Sequence, residues 1–197
     1  MLFRSTTADV DRVFEQYFMP FQLDSVDRCN ELIPGLLDCV RCLRERDIRI
    51  ATTTGYFREA ATRAYASGRA QGFNPDNSLC PADVREGRPA PWMIYRNMEA
   101  LGVYPRDAVV KVGDTLFDVR EAQNAGVWAV GVTDSSSEIG LTQFEFAQLD
   151  DEGRRRLTAP WAARLNDAGA HDVIGTVADL PAAIQRIERR LAEGERP

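Results

Sequence analysis

Asp114 and Asp118 stand four residues apart in KVGDTLFDVREAQNAG, the stretch from Lys111 to Gly126. An apolar run, Ala108 to Val110 and then Val112, leads into them and breaks at Gly113. This predicts a strand ending in a turn, with Asp114 capping the next helix and Asp118 one turn along the same face. Two hard oxygen donors so placed suit magnesium, which takes one or two carboxylates and completes its shell with water and phosphate oxygens. Read alone, Asp114 is explained equally well as a helix cap.

Two further groups have types that handle anions. Thr54 ends the run DIRIATTT just before Gly55 and Tyr56. A hydroxyl and a nearby backbone N–H at that point can donate to a phosphoryl oxygen. A plain Thr-Gly turn is the structural alternative. Arg88 precedes Pro89 in EGRPAPW, at an expected helix start. Its planar fork and the positive end of that helix can face one anion, unless the arginine is simply solvated.

Such groups act together only if the elements carrying them bring them to one edge. DIRIATTT, NSLCPAD, DAVVKVGD, VWAVGVT and HDVIG read as strands, NSLCPAD weakly so. Between them come helical patterns: one after IPG to about Arg46, Arg58 to Ala70, RPAPWMIYRNMEALG, one from about Phe117, and a terminal helix from Leu180. Ahead of all of these, residues 8–30 read as one or two amphipathic helices with Pro20 as a break or kink. Strands alternating with helices imply a mostly parallel α/β sheet covered on both faces. Ligands of such sheets sit beyond the carboxyl ends of the strands, where Thr54, Asp114 and Asp118 fall.

Strand-Thr, then a basic residue, then strand-GDxxxD resembles the haloacid dehalogenase superfamily. The segments ELIPG, ATTTGYFREA, CPADVREGRPAPWM, LGVYPRDAVVKVGDT, NAGVWAVGV and AGAHDVIGTVADLPAAI narrow this. In succession, from roughly Ala8 onward, they resemble the phosphonoacetaldehyde hydrolase family. The resemblance implies a haloacid-dehalogenase-like Rossmannoid core over residues 31–197 and a remnant of a helical cap over residues 1–30. It implies hydrolysis of the phosphorus–carbon bond of phosphonoacetaldehyde, a small phosphonate, to acetaldehyde and phosphate with Mg2+. In that scheme Thr54 and Arg88 are catalytic, and Thr54, Gly55, Tyr56 and Arg88 bind the phosphoryl group. Asp114 and Asp118 hold the metal. A homodimer through the cap helices is a further implication.

The family also uses an aspartate nucleophile in a DxAGT motif on the central strand and a cap lysine that forms a Schiff base. Neither occurs in these residues: no DxAGT is present, and Lys111, the sole lysine, lies on the strand before Asp114. The expectation is therefore a truncated fold lacking its central strand and most of its cap, and inactive alone. DIRIATTT and DAVVKVGD should then flank an empty lane without pairing. Residues 2–5, LFRS, read as the end of a sequencing adapter joined to a gene interior, a naturally truncated gene being the rival reading. The alternative functions are a haloacid-dehalogenase phosphatase fragment of other specificity and a non-catalytic magnesium- and phosphate-binding pseudoenzyme.

The composition sets outer limits. With 197 residues, 44% of them hydrophobic, the chain can bury an ordinary core. A net charge of −6 argues against nucleic acid or an anionic membrane as partner. No apolar run approaches the ~18 residues of a membrane span, and no secretory leader is evident, so the cytoplasm is expected. Cys39 and Cys42 have zinc-like spacing but no second pair, and read as helix residues that pack. His171, the only histidine, reads as structural.

Overall fold

Five short strands, each parallel to its neighbours, alternate with helices as the pattern predicts. The computed structural model describes residues 6–197, so residues 2–5 lie outside the described residues. The elements are α1 (Thr7–Val13), α2 (Met19–Arg28), α3 (Leu36–Arg44), β1 (Ala51–Thr53), α4 (Arg58–Ala70), β2 (Asn77–Leu79) and α5 (Trp92–Leu101). They continue with β3 (Val110–Gly113), α6 (Leu116–Ala125), β4 (Trp128–Val132), α7 (Gln143–Ala147), α8 (Asp151–Asp167), β5 (Asp172–Ile174) and α9 (Leu180–Ala192).

Two compact units result. One comprises residues up to Leu32 together with Tyr56–Asn74, and the other Ile33–Gly55 together with Pro75–Pro197. Helix α4 belongs with the N-terminal helices. In that first unit, α1 opens on a capping box between Thr6 and Asp9. A π-helical turn, Phe14–Phe18, joins α1 to α2, and Pro20 lies in the first turn of α2. Proline lacks an N–H and crowds the carbonyl one turn before it, so the expected kink appears as this widened turn. Arg63 of α4 pairs with Asp27 of α2 at 2.6 Å, and Gln71 bonds to Asn30 and Leu32. Val10, Tyr17 and Phe21 remain exposed on the N-terminal helices.

In the second unit, β1 pairs with β2, while β3, β4 and β5 form a separate ladder in that order. Neither β1 nor β3 pairs with the other, and the described residues before β1 contain no strand, as the empty-lane expectation requires. Strand β4 is buried along its whole length and alternates its side chains between two cores. Trp128, Val130 and Val132 join Cys39 and Leu43 of α3 and Ala183, Ile184 and Ile187 of α9. Ala129, with Val127 just before the strand, faces Val119 and Ala122 of α6 and Trp161 and Leu165 of α8. Val110 and Val112 of β3 pack on the first of these cores. Lys111, between them and level with Ala129, therefore points to the α6 face.

His171 serves the ladder. Its ring Nδ1 accepts the Ala129 N–H at 2.9 Å, and the ring stands edge-on to Trp128. Cys39 is buried in α3, and among the described residues no three His, Cys, Asp or Glu side chains form a metal cluster. Among those residues, no helix is long and apolar enough to cross a membrane.

Candidate active site

The carboxyl ends of β1 and β3 carry the expected groups, and the side chains there are closely engaged. Thr115, not Asp114, caps α6: its hydroxyl accepts the Asp118 N–H at 3.3 Å and donates to Asp118 Oδ2 at 2.6 Å. Thr115 holds extended backbone, as an N-cap must, and Asp118 at the third helical position completes a capping box. Asp114 is released from the capping role that the sequence suggested. Its backbone carbonyl accepts the Ser136 hydroxyl at 2.9 Å.

Asp118 is buried, and its Oδ1 is held by Arg88 and, at 3.0 Å, by Lys111 Nζ. Burial alone would raise the Asp118 pKa, but Lys111, Arg88 and the Thr115 hydroxyl outweigh it and hold it below the ordinary value. Asp114 behaves oppositely. Burial and then repulsion by Asp118 push its pKa up, and backbone N–H groups and the charge of Arg88 offset this only in part. No basic side chain pairs with Asp114 among the described residues, so a cation placed there would relieve both effects. A buried and a half-buried carboxylate, the second with no ion-pair partner among the described residues, offer hard oxygen donors that fit magnesium.

Arg88 does not sit at a helix start. Residues 88–91 form a turn, and α5 begins only at Trp92. The guanidinium instead reaches between two of the predicted segments. One nitrogen binds Asp118, and the other faces Gly55, where a side-chain Cβ would stand 2.9 Å from it. Gly55 has to lack a side chain for this approach. Thr54 is anchored by its N–H to the Leu79 carbonyl at 3.2 Å, which fixes the turn after β1. Tyr56, 37% exposed, opens the segment belonging to the first unit. The structure thus brings Thr54, Gly55, Arg88 and Asp118 to one end of the second unit, with Asp114 beside Asp118 in sequence.

Lys111 and Glu121 escaped the sequence reading as site residues, whereas Thr53 adjoins Thr54 of the polar turn after β1. Lys111 Nζ lies 2.6 Å from Thr53 Oγ1 and 2.9 Å from Glu121 Oε2, as well as on Asp118. Glu121, three residues beyond Asp118 on the same face of α6, is fully buried. The signal available was the lone lysine inside the best strand, which needs a buried counter-ion.

Comparison with known proteins gives the family of the chain. The family model for haloacid dehalogenase-like hydrolases matches residues 4–126. The chain is 40% identical over 193 residues to the phosphonoacetaldehyde hydrolase of Hahella chejuensis, covering 98% of this chain and 65% of that protein. It is 42% identical over 192 residues to that of Paraburkholderia xenovorans, covering 96% and 71%. A crystal structure of a phosphonoacetaldehyde hydrolase-like protein from Oleispira antarctica superposes with a TM-score of 0.95 at 34% identity. That match covers 99% of this chain and 70% of the other. The chain spans 65% and 71% of the length of these two curated relatives. By descent and by fold, the chain belongs to the phosphonoacetaldehyde hydrolase family of the haloacid dehalogenase-like hydrolases.

Proposed function

We propose that these residues form the phosphate- and metal-binding side of an enzyme that hydrolyses phosphonoacetaldehyde to acetaldehyde and phosphate, in the cytoplasm. The observation that carries this reading is Arg88, whose guanidinium spans from Asp118 to the turn at Gly55. It gathers three segments distant in sequence around a space where a phosphoryl group would meet a fork of N–H donors. Thr54 and the backbone beside Gly55 supply further donors. Asp114 and Asp118 would hold magnesium, which when bound supplies positive charge against the phosphoryl oxygens. The attacking carboxylate and the amine that activates the aldehyde come from residues other than these: no DxAGT occurs here, and Lys111 is committed to Asp118 and Glu121. The exposed Val10, Tyr17 and Phe21 support a homodimer through the N-terminal helices.

The test is reconstruction. The 197 residues alone should not turn over phosphonoacetaldehyde. The same chain extended by an upstream segment carrying a DxAGT nucleophile and a cap lysine should cleave it. Hydrolysis of general phosphomonoesters instead would favour a phosphatase of other specificity, and a folded but inactive chimera would favour a pseudoenzyme. Magnesium binding by the chain alone should be weak, and absent in Asp114→Ala/Asp118→Ala. Equal binding by that variant would refute the metal assignment.

A further inference from the structure

Glu121 raises a question the reaction does not answer. It is fully buried on α6, its Oε2 bonds Lys111, and its Oε1 has no hydrogen-bond partner among the described residues. An ionised carboxylate stripped of water is costly unless a cation compensates it, and an apolar residue would fill the same space without that cost. The sole lysine provides the cation, yet it is shared: its ammonium also touches Asp118 Oδ1, which Arg88 already holds. Two cations therefore converge on one carboxylate oxygen at the point where a dication is to bind.

The charge balance shows what Glu121 changes. Arg88 and Lys111 against Asp114, Asp118 and Glu121 make two cations and three carboxylates, a net −1. Without Glu121 the group is neutral, and Lys111 bears wholly on Asp118. We propose that Glu121 is a positioning residue for the metal site: it holds Lys111 on its own carboxylate and so leaves Asp118 able to face a divalent cation as an anion. Thr53 Oγ1, 2.6 Å from the ammonium, fixes the third side of this arrangement from β1. The inference rests on the magnesium reading above.

Manganese, followed by loss of the free-ion paramagnetic resonance signal, is the probe, with folding checked by circular dichroism. Glu121→Gln should weaken Mn2+ binding about tenfold or more, the Coulomb effect of one unit charge on a dication a side-chain length away even in a water-like dielectric. Lys111→Met should tighten it by a comparable factor, and Lys111→Met/Glu121→Gln should return to within about threefold of the parent. A purely structural pair would move both single variants in the same direction, which overturns the inference. So does unchanged affinity in folded Glu121→Gln. If only one single variant folds, the sign of its shift decides. If neither folds while the double variant does, the pair exists for folding and the inference is overturned. Asp114→Asn separates the two readings: if it binds Mn2+ as the parent does, the metal reading fails and takes this one with it. If it loses binding while Glu121→Gln keeps it, only the present inference fails.

Discussion

Replacing Gly113 by alanine tests the site through its backbone. A Cβ at Gly113 would stand 2.6 Å from Asp118 Oδ2 and closer still to the Asp118 Cβ and Cγ. Ordinary van der Waals contact lies near ~3.5 Å, so the carboxyl must retreat by about 1 Å or more. Rotation of the Asp118 side chain moves the carboxyl but not its Cβ, which would stand 2.4 Å from the new methyl, so the start of the helix must give as well. Both movements carry Oδ1 away from Arg88 and from Lys111, now at 3.0 Å, beyond hydrogen-bond reach, and strain the cap bond from the Asp118 N–H to Thr115. Separating a buried ion pair costs about 3–5 kcal/mol, a large share of the ~5–15 kcal/mol by which a domain is stable. With a urea dependence of ~2 kcal/mol per molar, the unfolding midpoint should fall by about 2 M. In an Asp118→Gly background, where neither the Cβ nor the carboxyl obstructs the new methyl, the same substitution should cost less than about 1 kcal/mol. A Gly113→Ala midpoint within about 0.3 M of the parent, or costs that simply add in the double variant, would refute this reasoning.

Thr115→Val removes the cap bonds but leaves both cations on Asp118, so urea unfolding should show a loss of only about 1 kcal/mol. His171 is held below its ordinary value near 6.5 by burial and then by Arg190. The folded chain thus binds this proton less readily than the unfolded one, and the stabilisation is full above pH 6.5 and lost as pH falls through the lower folded-state value. Between pH 7.5 and 5.5 the melting temperature of the parent should therefore fall more than that of His171→Gln; equal slopes would contradict the role assigned to the ring. Burial, with Cys42 nearby, pushes the Cys39 thiol up to about 11, whereas Cys29 is exposed. An aromatic disulfide reagent at pH 8 should label Cys29 first, Cys29→Ser should abolish that fast phase, and Cys39 should react only on unfolding.

What the sequence displayed of this molecule was whatever depends on near neighbours. Arg58 to Ala70 is helical as read, and Gly102 takes the left-handed conformation just past α5. KVGDT announced a strand and a turn because an apolar run meeting glycine and two acids is a local pattern. The cap was misassigned because Asp114 and Thr115 are both good capping types, and only the backbone shows which one is extended. Arg88 was placed at a helix start that Pro89 and Pro91 delay to Trp92. DIRIATTT has the composition of a longer strand, but its ladder is limited to three residues by its partner, Asn77–Leu79. The link from Lys111 to Glu121 depends on which face of the sheet α6 covers. Strand alternation says that Lys111 lies opposite the valines on either side of it, but not what lies above it.

Strand β4 is bonded along both edges, to β3 and to β5, whereas β1 and β3, among the described residues, each find a strand on one side only. That asymmetry sets a hierarchy of deuterium uptake. Amides of Trp128–Val132 can exchange only when the ladder opens on both sides, so they should report the slowest, near-global opening. In β1 and β3, amides that point toward the unpaired edge are exposed by smaller fluctuations and should exchange orders of magnitude sooner. The groups that would handle phosphate therefore hang from strands paired on one side only, while the rigidity of the unit is concentrated in β4.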